Sequence, residues 1–347
     1  MYRRSVNTAG VVFAGLLGFA AQGFAQAPKL GFQYRTDIIH DDHGIEKTDT
    51  NKPSKTTDLS LEAANLTATG SVNEKVSYDV NYSLAEGELA WGFVKYAMMD
   101  MLTLEVGKDF TNQGGWDNYN WLYDTILVSP YTANSLPIPD GDVLEAQFTT
   151  LGLNLQLIND TASGNGKQPA WTLEYMKAFG SITPLFQFGS YDLNKSKFFV
   201  LGLAFNANNL DLYFDYVMDQ RDVGGDEHDT HSNIVLDVAY TAGDYKPFVK
   251  VAKYDVKQAG TDAKENAVPN PAADADGDGN PDGLPEINGW FTDHGMAYTV
   301  GMKYLGISKA FTPFVALIAH SGKFVDAAGD TSTRSNSQLR LGVMGSF

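Results

Sequence analysis

Apolar and polar residues alternate along most of the chain, in segments of about ten residues separated by turns. Residues 75–84 show the pattern most clearly, and residues 151–157 and 209–218 repeat it. Alternation with period two places successive side chains on opposite faces of a β-strand, and helical periodicity is rare in this chain. The other alternating segments are residues 30–39, 57–69, 88–97, 101–108, 170–179, 182–191, 196–206, 232–242, 244–256, 294–305, 310–320 and 337–347. The pattern therefore predicts an all-β protein with fifteen clear strands.

The length of these segments distinguishes two kinds of β-sheet protein. Strands of a soluble sandwich are usually about five or six residues long. The segments here run to about ten residues, which is the length that crosses a bilayer at a tilt. Aromatic residues near the segment ends, such as Trp91, Trp171, Tyr240 and Tyr304, fit the girdles of a membrane barrel. We therefore predict a transmembrane antiparallel β-barrel.

The two ends of the chain support the same interpretation. Arg3 and Arg4 precede an unbroken run of apolar residues and glycine at 11–21, which is typical of a secretory signal peptide. We expect cleavage after Ala25, with Ala27 as the alternative, so that residues 26–347 form a single barrel domain. The last strand alternates and ends on Phe347. This ending resembles the terminal strand of Gram-negative outer-membrane barrels, which implies an outer-membrane location.

Loop lengths predict the orientation and the strand number. The connections at 257–293, 219–231, 321–336 and 40–56 are long and are predicted to be extracellular, whereas those at 70–74, 180–181, 207–208, 242–244 and 306–309 are short and are predicted to be periplasmic. Both termini of such barrels lie in the periplasm, which requires an even number of strands. One strand is therefore missing from residues 109–144, and we place it within 121–131. The prediction is sixteen strands, with fourteen as the alternative.

Residues 109–144 are predicted to form a constriction segment that folds into the barrel. The segment contains no lysine or arginine and is rich in acidic and aromatic residues: Asp109, Trp116, Asp117, Tyr119, Trp121, Tyr123 and Asp124. It resembles the Gram-negative porins, in which the loop after the fifth strand narrows the barrel. The run 104–108 leading into Gly114-Gly115 is similar to the porins that include the phosphate-selective channels. That resemblance implies a homotrimer, but the segment lacks the basic residues that would replace the hydration shell of a phosphate ion.

The polar faces of the predicted strands identify candidate lumen residues. The acids are Asp37, Glu62, Asp79, Glu105, Glu174, Asp211, Asp215 and Asp237, and the bases are Arg35, Lys250, Lys303 and Arg340. Acids outnumber bases eight to four. We therefore predict a water-filled pore for small hydrophilic solutes with a mild preference for cations. The aromatic residues of 109–144 also allow a channel specific for a sugar or an amphiphile.

The segment 274–286, within the long loop 257–293, has the sharpest local motif. Oxygen-bearing side chains alternate there at Asp274, Asp276, Asp278, Asn280 and Asp282, with Gly279 at the sixth position. Alternating oxygen ligands and a tight glycine turn are typical of calcium loops. Pro285 stands where an EF-hand requires glutamate, so the motif resembles the calcium loops of extracellular repeats instead. A solvated acidic loop that bridges lipopolysaccharide through divalent ions is the alternative.

Composition also bears on the partners, the stabilisation and the possible enzymatic activity of the protein. Removal of residues 1–25 leaves 23 basic against 42 acidic residues, a net charge of −19, which excludes nucleic acid as a partner. The chain has no cysteine, so pairing and burial alone stabilise the exported protein. His228 and His231 could bind a metal but are predicted to lie in a polar loop. No nucleophile motif accompanies the histidines, so an enzyme or adhesin on a barrel platform is the least favoured alternative.

Overall fold

The computed structural model describes most of the chain, including all of the alternating segments. The described residues are 28–44, 55–85, 87–112, 114–119, 140–160, 168–191, 195–224, 227–257, 292–325 and 331–347. Within them, no helix is both long and apolar enough to cross a membrane.

Sixteen antiparallel strands close into one barrel. Each strand pairs with its neighbours in the sequence, and the first strand pairs with the last. The strands are β1 (Lys29–Gly44), β2 (Lys55–Ser71), β3 (Val76–Ser83), β4 (Glu88–Met99), β5 (Leu102–Phe110), β6 (Asp140–Phe148), β7 (Leu153–Asp160), β8 (Gln168–Met176), β9 (Ile182–Tyr191), β10 (Ser196–Ala207), β11 (Leu210–Gly224), β12 (Glu227–Tyr240), β13 (Tyr245–Lys257), β14 (Thr292–Tyr304), β15 (Thr312–Val325) and β16 (Thr331–Ser346).

The barrel closes at the pairing of β1 with β16. Tyr34 lies opposite Gly345 in this register. Beyond the last strand, Phe347 and Phe32 exchange two backbone hydrogen bonds, of 3.0 and 2.8 Å, and their rings lie 5.4 Å apart. The final residue therefore continues the ladder that joins the two ends of the sheet.

The two faces of the sheet have opposite chemistry. Outward side chains are mostly apolar and exposed, whereas inward side chains are buried and mostly polar, with apolar clusters that include Phe198 and Val217. On β5, for example, Val106 is 57% exposed and the adjacent Glu105 only 1%. An exposed apolar outer face suits a lipid environment, because a β-strand in a bilayer turns alternate residues toward lipid and lumen. The predicted transmembrane barrel is confirmed as a fold, and sixteen is the correct strand number.

The position of the missing strand was predicted wrongly. It is β6, which begins at Asp140, whereas residues 121–131 lie outside the described residues. The pattern of β6 is weak because glycine and aspartate occupy its first positions and its outward face mixes large and small residues. Its register is nevertheless well defined, with Glu145 opposite both Glu105 on β5 and Gln156 on β7.

Several long connections are shorter than predicted. Much of 219–231 is paired strand, with Asp219 opposite His231, and the ladder of β15 with β16 continues through Val325 and Thr331. These extensions carry polar residues on both faces, so the alternating pattern does not reveal them.

Inward aromatic rings lie over glycines of neighbouring strands. Phe248 faces Gly301 directly across β13 and β14, and Phe314 faces Gly342 across β15 and β16. A side chain at either glycine would meet the ring of its partner. The glycines therefore let these rings lie flat against the wall instead of projecting into the lumen.

Candidate functional site

The most distinctive feature of the interior is a short helix, α1 (Gly115–Tyr119), in the connection between β5 and β6. The helix contacts β9, β10 and β11. Its polar partners are side chains on the inward faces of β8, β9, β11 and β13, so the helix lies inside the barrel and against one wall. The described part of the connection after the fifth strand, residues 111–112 and 114–119, is therefore inserted into the barrel as predicted.

Asp215 on β11 holds the beginning of this helix. Its Oδ1 accepts a hydrogen bond of 2.9 Å from the backbone N–H of Trp116, and its Oδ2 accepts one of 2.7 Å from that of Asp117. Asp215 is 1% exposed. Backbone N–H groups in the first turn of a helix have no partner within the helix, and a carboxylate is a strong acceptor for them. Both oxygens of Asp215 are therefore used to bind α1.

Two glycines allow this close approach. Gly115 has a φ of 74°, and a Cβ there would lie 2.6 Å from the carboxylate of Asp215. Gly202 on β10 lies beneath the helix, where a Cβ would be 2.8 Å from Oδ1 of Asp215 and 2.9 Å from Cδ1 of Trp116. Only residues without a Cβ leave room for the helix to rest directly on the wall.

A buried ion pair fixes the other side of α1. The ammonium group of Lys250 on β13 lies 2.5 Å from Oδ1 of Asp117 and 3.8 Å from Oδ2 of Asp237 on β12. The three side chains are 5%, 0% and 7% exposed. One base from the wall thus joins an acid of the helix to an acid of the neighbouring strand.

The end of α1 is held by a network of hydrogen bonds. The hydroxyl of Tyr119 donates to Glu174 on β8, and the amide of Gln187 on β9 donates to the same carboxylate at 2.8 Å. Asn154 donates to Glu174 at 2.9 Å. Loss of water around the Tyr119 hydroxyl, followed by the negative charge of Glu174, raises the pKa of this phenol. Tyr119 therefore remains protonated and a donor at neutral pH.

The chain leading to the helix lies over another set of polar residues. The backbone N–H of Asn112 donates to Gln156 at 3.0 Å, and its side chain donates to Glu145 at 3.3 Å. Glu145 also accepts from Gln147 at 3.0 Å and from Gln156 at 3.3 Å. These amide side chains were not predicted as site residues, although their place on the polar faces of the strands was a usable signal. Glu145 was missed because β6 was not recognised.

The basic residues concentrate on a different part of the wall. Arg35 on β1 and Arg340 on β16 both contact Asp37, at 2.5 and 3.3 Å. Lys303 on β14 lies over the ring of Phe248, with Nζ 6.0 Å from the ring centroid. The wall of β14, β16 and β1 is therefore basic, whereas the wall of β5, β6 and β8 is acidic.

Most of the predicted lumen residues lie on the inward face. The side chain of Glu62 is outside the described set, and its backbone lies in a bulge of β2, where Arg35 pairs with Ala63 and Thr36 with Leu61. The inward residues among those predicted are Arg35, Asp37, Asp79, Glu105, Glu174, Asp211, Asp215, Asp237, Lys250, Lys303 and Arg340. Of these, α1 brings together Glu174, Asp215, Asp237 and Lys250.

Several of the acids already have a basic partner. Glu105 contacts Lys95 at 2.9 Å, and Asp211 contacts Lys246 at 2.9 Å. Asp79 instead accepts a hydrogen bond of 3.0 Å from the indole of Trp91.

The predicted constriction residues are only partly described. Trp116, Asp117 and Tyr119 belong to α1, and Asp109 is on β5. Trp116 lies 6.1 Å from Tyr119 and 6.0 Å from Tyr213, so three aromatic rings cluster at the helix. The predictions that fall outside the described residues are Trp121, Tyr123, Asp124 and the calcium loop at 274–286. In the part of the chain that the structure describes, no group of acids and histidines is arranged to hold a metal ion.

Comparison with known proteins identifies the barrel class. No family model and no curated protein sequence matches the chain. Among solved structures it is similar to the anion-selective porin from Comamonas acidovorans, with 13% identity over 92% of this chain and 99% of the other and a TM-score of 0.60. It is also similar to the trimer form of OmpT, an outer membrane protein of Vibrio cholerae, with 11% identity over 93% and 100% and a TM-score of 0.59.

A third similar structure is Salmonella typhi OmpF in complex with daunomycin. The identity is 15% over 92% of this chain and 98% of the other, and the TM-score is 0.55. At these identities the similarity establishes a porin-like fold.

Proposed function

We propose that this protein is an outer-membrane porin through which small hydrophilic solutes diffuse. The observation that carries the proposal is the docking of α1 against one inner wall of a closed sixteen-stranded barrel whose inward face is polar. A segment that occupies part of a polar lumen limits the size of solutes without closing the barrel. The porins with a similar fold support a channel rather than an enzyme or an adhesin.

We further propose a mild preference for cations. Glu145 and Glu174 accept hydrogen bonds from neutral groups, namely amides and a phenol. In contrast, Asp37 contacts two arginines and Asp117 contacts Lys250. Negative charge that is not paired with a base attracts cations into a narrow passage. The absence of lysine and arginine from 109–144 gives no support for phosphate selectivity.

Planar-bilayer recording tests both parts of this proposal. The mature protein, residues 26–347, should insert in discrete conductance steps. Under a potassium chloride gradient, the reversal potential should show a few-fold greater permeability for potassium than for chloride. Absence of steps would remove the channel proposal, whereas preferential chloride passage would remove only the cation preference.

The aromatic cluster of Trp116, Tyr119 and Tyr213 favours a second candidate, a channel specific for a sugar or an amphiphile. Aromatic ring faces stack on the apolar faces of sugars and on flat apolar groups. In the same recordings, a specific channel would show block of the ion current by a sugar at micromolar to low millimolar concentration. In a general diffusion channel, the ion current would not change when the sugar is added.

The remaining assignments concern export and assembly. We propose removal of residues 1–25 as a signal peptide, contact with outer-membrane lipid and lipopolysaccharide, and assembly as a homotrimer. The trimer form of the similar Vibrio cholerae structure supports the trimer proposal. Mass determination of the native complex and of the mature chain would test the trimer and the cleavage site together. A monomer, or a chain that retains residues 1–25, would contradict the corresponding assignment.

We also propose calcium binding by the loop 274–286. The support is the spacing of oxygen ligands in the sequence. Titration calorimetry should detect heat of calcium binding to the mature protein, and this heat should be lost when Asp276 and Asp278 are both replaced by asparagine. The same heat from both proteins would show that the loop is only an acidic surface.

A further inference from the structure

The use of Asp215 as an acceptor changes what its charge is expected to do in the channel. The sequence places Asp215 among the residues that would set ion preference. In the structure both of its oxygens accept backbone N–H groups of α1, and it is almost completely buried. Its contacts are therefore with the protein rather than with the water of the lumen.

We propose that Asp215 is the positioning residue that keeps the constriction helix docked on the wall. The inference rests on the proposed channel function, and it concerns the control of the constriction rather than the identity of the solute. When Asp215 binds α1, the passage keeps a constant width. When the helix leaves the wall, it enters the lumen and narrows the passage, so the current falls to lower levels.

The surroundings of Asp215 show that the contact depends on one particular geometry. Gly115 and Gly202 both lack the Cβ that would collide with the carboxylate. Gln187 accepts a hydrogen bond of 3.2 Å from the N–H of Gly115, so a neutral acceptor holds the preceding residue. Asp117 is attached to Lys250 on the far side. The carboxylate of Asp215, the two glycines and the ion pair of Asp117 with Lys250 therefore all restrain the same short helix.

Asp211 provides a matched comparison for Asp215. It lies on the same strand, four residues away and on the same inward face, but its carboxylate pairs with Lys246 at 2.9 Å rather than with the helix. Asp215→Asn and Asp211→Asn each remove one negative charge from the lumen. Only Asp215→Asn replaces an acceptor of two helix N–H groups by an amide, which has a single acceptor oxygen and an NH₂ group that faces a donor.

The first test is single-channel recording. Because hydrogen bonds to a charged acceptor are stronger than those to a neutral one, Asp215→Asn should increase the fraction of time spent in sub-conductance levels by about tenfold or more. Asp211→Asn should change the reversal potential and leave the open level steady. Asp215→Glu keeps the carboxylate but moves it, and should give an intermediate fraction of sub-levels. If Asp215→Asn shifts only the reversal potential, as Asp211→Asn does, Asp215 is a pore charge and the inference is wrong.

The second test does not require a conducting channel. In detergent-folded barrels, hydrogen–deuterium exchange of a peptide that covers 115–119 should be at least about tenfold faster in Asp215→Asn than in the unsubstituted protein or in Asp211→Asn. Resistance of the folded barrel to SDS at room temperature would show that each variant has folded. Unchanged exchange in a folded Asp215→Asn barrel would overturn the inference, whereas failure of every form to conduct would count only against the channel proposal.

Discussion

Replacing Lys250 by glutamate is expected to release α1 from the wall and to produce a channel without one steady open level. The substitution would bring a third carboxylate to a buried site where Asp117 and Asp237 now share one ammonium group. Removing one partner of a buried ion pair typically costs about 3–5 kcal/mol, and charge reversal adds repulsion. The helix can escape this cost by leaving the wall, whereas the strands are held by their ladders. Single-channel recording at moderate voltage would show the resulting sub-levels.

Lys246→Glu is the matched control for this prediction. Lys246 is on the same strand with the same inward parity, and its partner Asp211 is 26% exposed. Repulsion there can be relieved by water, so we expect a shift of ion preference toward cations with a steady open level. Combining Lys250→Glu with Asp117→Lys should restore part of the steady level, because the pair between helix and wall is re-formed with exchanged signs. A steady level in Lys250→Glu itself would show that the ion pair does not hold the helix.

The sequence allowed the barrel to be predicted because a lipid-facing strand must alternate. The same parity placed Glu174, Asp215 and Lys250 on the inward face. Parity cannot show which of these residues contact each other, since the contacts with α1 join residues that are distant in the chain. The acid excess suggested lumen charge, but several acids are bound to arginine, lysine or the helix.

The features that the sequence did not reveal also have physical explanations. The strand β6 was missed because glycine and aspartate obscure its alternation. The extended hairpins were missed because a ladder beyond the bilayer needs no apolar face. Lumen amides such as Gln156 and Gln187 were missed because only charged residues were counted, although a buried amide on the polar face of a strand indicates a hydrogen-bond partner.

Gly202→Val is the second substitution from which we expect a large effect. Valine suits the strand itself, since β-branched residues favour sheets. Its Cβ, however, would lie 2.8 Å from Oδ1 of Asp215 and 2.9 Å from Cδ1 of Trp116. Neither group can move easily, because the carboxylate is held by two N–H groups and the indole packs against Tyr213. Overpacking of this kind costs about 1–3 kcal/mol, which we expect to be relieved by displacement of α1.

The matched control is Gly301→Val on β14, the same substitution at another inward glycine. A Cβ there would meet the ring of Phe248 and the backbone oxygen of Val315, away from the contacts of α1 with β9, β10 and β11. Gly301→Val should lower the temperature at which the barrel unfolds in SDS but leave exchange at 115–119 unchanged. Gly202→Val should accelerate that exchange and add sub-levels to the current. If hydrogen–deuterium exchange of the peptide 115–119 were equal in the two variants, the fit of the helix on Gly202 would not control the constriction.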